Sequence, residues 1–99
     1  MFVLGIDPGL TRTGSGIVEV SGTSERAVAA GVLRTDPEQA TADRLAELAR
    51  DFESVLDDHN VDAAAIEQVF VNRNRNTAIA VARASGVVMV ALANRGIAV

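Results

Sequence analysis

The sequence predicts a mixed α/β domain: three antiparallel strands, a helix, a strand parallel to the first, a second helix, and the opening of a fifth strand. Three observations carry this. Short apolar runs broken by turn residues fill the first third of the chain. The hydrophobic spacing then switches to three and four residues. The apolar run Ala63–Ile66 follows that helical stretch, as a parallel strand reached by a crossover does. The 99 residues, 48% hydrophobic and 22% charged, suit one globular domain, not a disordered or collagen-like chain. Cysteine is absent and there is one histidine, which excludes a disulfide scaffold, a thiolate metal site and a histidine-rich zinc site.

Phe2, Val3, Leu4 and Ile6 form a buried strand that Asp7-Pro8-Gly9 closes, because proline removes a donor and restricts the residue before it. A second strand runs from Gly14 to Val20 with Ile17 buried, and Ser21-Gly22-Thr23 is a turn. A third runs from about Arg26 to Arg34 with Val28, Ala30 and Val32 on one face. Asp36-Pro37-Glu38-Gln39 has the form of a helix start, with Asp36 as cap and Thr41 as a second candidate. Leu45, Leu48, Ala49, Phe52, Val55 and Leu56 then make a helical stripe that ends near His59-Asn60. Residues 71–76 read as a loop. Asn74 or Asn76 is expected to cap a second helix that runs to about Asn94 and stops at Gly96. Ile97-Ala98-Val99 opens a further strand.

Charge is divided along the chain. Residues 1–35 are neutral overall, residues 36–71 carry net −8, and residues 72–99 carry net +4, all of it from arginine. The middle would repel a polyanion and the last third would attract one. The apolar stretch Thr77–Ala93 holds Arg83 and reads as shorter than a bilayer span, and the N-terminus lacks a basic leader. A soluble cytoplasmic protein is therefore expected.

Two carboxylates stand out by position. Asp7 ends the first strand and Glu67 ends the fourth, so on parallel neighbours both emerge at one sheet edge, where open α/β sheets place their sites. Paired hard oxygen ligands suit Mg²⁺, with Mn²⁺ as an alternative. Either acid alone is more ordinarily a turn cap or a solvated strand end. Phe70 beside Arg73 and Arg75 could stack on a base while the guanidiniums hold phosphates; a lone Phe is more often core. Gly9–Gly14, with Thr11, Arg12 and Thr13, could cradle a phosphate or be a plain hairpin turn, and Arg12 is a further candidate DNA contact. Ala78, Ala82 and Gly86 are spaced by four along the second helix and let another backbone approach closely. That stripe is the candidate homodimer interface, with packing on the domain's own sheet as its competitor.

Gly5-Ile6-Asp7-Pro8-Gly9-Leu10-Thr11-Arg12-Thr13-Gly14, then Ala65-Ile66-Glu67-Gln68-Val69-Phe70, then Asn74, Thr77-Ala78 and Gly86-Val87, resemble the RuvC family of Holliday-junction resolving endonucleases over the whole chain. The resemblance implies a ribonuclease-H-like fold with the first and fourth strands as parallel neighbours. It also implies a homodimer that nicks a four-way DNA junction symmetrically with Mg²⁺, alongside a branch-migration motor complex. By position, Asp7 and Glu67 match acidic metal ligands and catalytic residues. Phe70 matches an aromatic that contacts junction bases, and the second helix matches the dimer interface.

The sequence departs from the family pattern in places. Ser15 stands where an aromatic is usual and Phe2 where a basic residue is common. Family members continue beyond this length, with further acidic ligands in a C-terminal helix. Residues 1–99 are accordingly expected to be a ribonuclease-H-like nuclease domain that is incomplete at its C-terminus, with part of the active site missing. Two rival readings are an inactive DNA-binding or dimerisation module of this fold, and a nucleotide-binding domain of the actin and sugar-kinase type. Metal-dependent cleavage separates the first rival and ATP binding identifies the second.

Overall fold

Alternation sets the first strand. Leu4 and Ile6 point to one side and are buried at 0% and 3% exposure, while Gly5 and Asp7, which alternate with them, are exposed. A computed structural model describes residues 1–67 and 75–99, the side chain of Arg75 excepted. In it β1 (Phe2–Asp7), β2 (Arg12–Ser21) and β3 (Ser24–Arg34) form an antiparallel meander, followed by α1 (Thr41–Asp58), β4 (Ala63–Ile66) and α2 (Arg75–Asn94). The sheet order is β3-β2-β1-β4, with β4 parallel to β1. Ser21 pairs with Ser24 around a two-residue turn in which Gly22 takes a φ of 61° that other residues resist.

Both helices cover one face of the sheet. Leu4, Ile6, Ile17 and Ala64 from the strands meet Phe52 and Leu56 of α1 and Val88, Ala91 and Leu92 of α2. The segment 76–94 is long and apolar enough to cross a membrane, which corrects the expectation that it is too short. Here its Ala84, Val88, Ala91 and Leu92 lie in the core. Gly96, at φ 69°, closes α2, with Ile97 donating its N–H to Leu92 O at 3.0 Å. Beyond it Ala98 forms a parallel bridge to Ala63, as the opening of a strand would. Arg95 joins the helices through Glu53 at 2.6 Å and Asp57 at 2.5 Å, and hydrogen bonds to these carboxylates raise its pKa above the ordinary arginine value.

Three local expectations need correction. A β-bulge between Ile17 and Val18 leaves Val28 as an extra residue on β3. The core therefore receives Ala29 and Leu33, while Val28, Ala30 and Val32 are exposed. Asp36 does not cap α1: its Oδ1 accepts from the Glu38 N–H at 2.9 Å in a preceding turn, and the helix starts at Thr41 after Ala40 with no side-chain cap. Asn76 does not precede α2 but lies in its first turn; Asn74 falls outside the described residues.

The β1–β2 connection is tied by Thr13, which is fully buried. Its hydroxyl donates to Gly9 O at 2.6 Å and accepts from the Gly9 N–H at 3.3 Å. A Cβ on Gly9 would stand 2.4 Å from Arg12 O, so only glycine fits there. Thr13→Val keeps the shape and removes both bonds. Urea denaturation should show a loss of about 1–3 kcal/mol, the usual cost of unpaired buried polar groups.

Candidate metal and nucleic-acid site

Parallel register brings Asp7 and Glu67 together. Val3 pairs with Ala63, and the pairing continues to Ile6 and Ile66. The Glu67 N–H then donates to Ile6 O at 2.9 Å, which extends the ladder by one step. Asp7 and Glu67 stand one position beyond the last pair. Gly5 and Ala65, two positions earlier, are exposed on the face that the helices leave bare, and side-chain alternation puts both acids on that face.

Asp7 and Glu67 line one open depression of about 460 Å³ with Gly5, Gly14, Ser15, Gly16 and Ala65. A Cβ on Gly14 would sit 3.7 Å from Asp7 Cβ, in ordinary contact, so the three glycines keep the floor low without being strained. Neither carboxylate is ion-paired among the described residues, where the salt bridges are Arg26–Glu19, Arg95–Glu53 and Arg95–Asp57. Two carboxylates open to solvent and lacking a cation partner fit a divalent ion that keeps several waters. No group of three or more candidate ligands occurs among the described residues.

Of the other candidate residues, those described line neighbouring depressions or lie along α2. Arg12 is exposed and lines a second depression with Gly9, Leu10, Thr11, Arg44, Asn76 and Thr77. Thr13 spends its hydroxyl inside the turn, so of the three polar side chains of the expected phosphate cradle Thr11 and Arg12 line that depression and Thr13 does not. Phe70 and Arg73 lie outside the described residues, and Arg75 is the first residue of α2. Ala78 and Ala82 line a groove beside β4, with Ala64, Ile66, Ser85 and Val99. Gly86 is half-buried, and a Cβ there would meet nothing within 4 Å. Sequence reasoning missed Arg44, an arginine in an acidic helix with no motif around it.

A sequence model for crossover junction endodeoxyribonuclease RuvC matches residues 3–99. The chain belongs to the RuvC family. The Azorhizobium caulinodans RuvC is 43% identical over 97 residues, which are 98% of this chain and 57% of that protein. The Renibacterium salmoninarum RuvC is 44% identical over 100 residues, covering 100% of this chain and 52% of that one. The Thermus thermophilus RuvC, solved with a Holliday junction substrate, superposes with a TM-score of 0.88 at 33% identity, covering 98% of this chain and 62% of that one. The chain thus spans about half to three-fifths of the length of these relatives. Their likeness to the ribonuclease-H-like RuvC fold agrees with the strand order and the parallel β1–β4 pair found here.

Adjacent like charges without a counterion oppose folding. Glu67→Gln should therefore raise stability by about 0.2–1 kcal/mol in chelator, measured by urea denaturation. Millimolar Mg²⁺ should stabilise the wild-type chain more than the variant and narrow or reverse the difference.

Proposed function

We propose that this RuvC-family chain carries the catalytic face of an endonuclease that cleaves four-way DNA junctions in recombination and repair in the cytoplasm. The observation that carries the reading is the placement of Asp7 and Glu67, one register step past the β1–β4 ladder, on the exposed sheet face. Their oxygens would hold Mg²⁺ or Mn²⁺. When bound, such ions polarise a phosphoryl oxygen and activate a water for in-line attack. The chain's part is positional. Asp7 is anchored in a six-residue strand between two partners, which fixes its backbone before any ligand arrives. Gly5, Gly14, Gly16 and Ala65 form a low floor beside the acids that a sugar–phosphate backbone can approach. Phe70, Arg73, Arg75 and Arg12 are the proposed DNA contacts, because an aromatic and cations that follow the acids closely in sequence suit stacking and phosphate binding. A branch-migration motor is the partner that the family resemblance implies.

A two-fold symmetric junction calls for a two-fold symmetric enzyme, and α2 is the proposed dimer surface through Ala78, Ala82 and Gly86. Support comes from Ile79, Met89 and Val90 of this helix, which are 42%, 46% and 60% exposed. Gly86 costs about 1 kcal/mol in a helix relative to alanine, and no close packing within the described residues accounts for it.

Asp7→Asn and Glu67→Gln in the whole protein should each lower the rate of Mg²⁺-dependent nicking of a four-way junction at least about a hundredfold, with junction affinity retained. Nicking at the wild-type rate by either variant overturns the assignment. Gly86→Leu should shift the protein from dimer to monomer in sedimentation while leaving its circular dichroism unchanged; a folded, dimeric variant would move the interface elsewhere.

A further inference from the structure

The second depression at this edge of the sheet has a feature that the acidic pair does not explain. Among the described residues, Arg44, in the first turns of α1, is oriented by neutral oxygens. Its Nε–H donates to Thr35 Oγ1 at 3.0 Å and its Nη2 donates to Thr11 Oγ1 at 3.0 Å. Thr35 is itself fixed: it is 5% exposed, its hydroxyl donates to Leu10 O at 2.5 Å, and its N–H donates to Thr11 O at 3.1 Å. These bonds hold the guanidinium against the β1–β2 connection, and among the described residues its other N–H donors make no hydrogen bond. Asp43 and Glu47 lie close to it along α1, yet no ion pair joins Arg44 to a carboxylate among the described residues.

The depression it faces has a volume of about 400 Å³ and is lined by Gly9, Thr11, Arg12, Arg44, Asn76 and Thr77 together with Leu10, Ala80 and Val81. That lining contains two arginines, two threonines, an asparagine and no acid, in a chain whose net charge is −4. An uncompensated, pre-oriented guanidinium fork beside a second arginine is the arrangement that recognises a phosphate. The first turn of α2 borders the same space, and its end of the helix dipole favours an anion there too.

The geometry points to a phosphate-binding site formed by Arg44, Arg12 and Thr11, separate from the Asp7–Glu67 pair. Its occupant is a nucleic-acid backbone phosphate other than the one cleaved. Pro8 and Gly9 join Asp7 to this site along the chain, and the acids lie on the opposite sheet face. One strand could therefore be anchored at Arg44 as it crosses the carboxyl ends of β1 and β4. The choice of nucleic acid over a free phosphate rests on the function proposed above; the phosphate chemistry does not.

Titrating the full chain with inorganic phosphate against matched chloride, followed by ¹H–¹⁵N NMR, tests the site itself. Saturable shifts are expected at the Arg44 Nε–H and at the amides of Thr11, Arg12 and Thr77. Arg44→Gln and Arg12→Gln should abolish or weaken them. Non-saturating shifts, or shifts unchanged in both variants, overturn the site. Arg12 is exposed and its side chain makes no hydrogen bond among the described residues, so Arg12→Gln leaves the β2–β3 backbone pairing intact and decides the matter even if Arg44→Gln unfolds.

Binding of a four-way DNA junction in chelator over a salt series identifies the source. Each variant should reduce the slope of log affinity against log salt by about 0.9, the signature of one lost phosphate contact. Unchanged slopes with phosphate binding intact would assign the site to a free phosphate and overturn the backbone anchor. If the wild-type protein fails to bind the junction at all, the proposed function falls, and the phosphate titration still decides whether Arg44 builds an anion site.

Discussion

Everything this chain places at its candidate site depends on the parallel pairing of β1 with β4. The pairing is tied at both ends. At the start, Asp62 Oδ2 accepts from the Phe2 N–H at 2.7 Å while the Asp62 N–H donates to Phe2 O at 2.9 Å. At the finish, the Glu67 N–H donates to Ile6 O at 2.9 Å. Between them only four residue pairs are in register, and Ala64 is buried under the helices. A slip of one residue would turn Glu67 toward the core and Ile66 toward solvent, so the apolar pattern and the site register enforce each other.

The same constraint divides the molecule into two faces with different physics. One face holds Leu4, Ile6, Ile17, Phe52, Val88 and Leu92 and supplies the cohesion. The other has small residues beside the acids, with Gly5 and Ala65 exposed there and Val28 and Val32 exposed farther out on β3, and neither α1 nor α2 packs its core residues against it. Along the edge between the faces the charges are segregated. Asp7 and Glu67 lie on the open face and Arg12 and Arg44 line the depression on the helix side. Elsewhere α1 spends Glu53 and Asp57 on Arg95, which neutralises part of its acidity against α2. The net charge of the middle third therefore understates how well this edge could meet a polyanion.

Much of this was legible in the sequence because burial sets the period. Leu48, Phe52 and Leu56 at spacing four, and Leu4 and Ile6 at spacing two, announced α1 and β1 directly. Asp7 and Glu67 were legible as a pair because each ends an apolar run, and the helical crossover makes those runs parallel. What failed was local and cooperative. The bulge opposite Ile17 reversed the face of β3, and no residue type in Ser24–Arg34 signals it. Asp36 has the chemistry of a cap and of a turn, and the turn used it. Arg44 was invisible because its role depends on Thr11 and Thr35, at most 33 residues away and brought near only by the fold.

The proposed site rests on one geometric relation, that Asp7 and Glu67 hold the same ion from the open face of the sheet. Anomalous scattering from crystals of the protein soaked in Mn²⁺ tests it directly. The expected map has a Mn²⁺ peak within ligating distance of carboxylate oxygens of both residues, beside Gly14 and Ala65. A peak bound by only one of the two acids, or full occupancy at another cluster with nothing at this edge, would contradict the account.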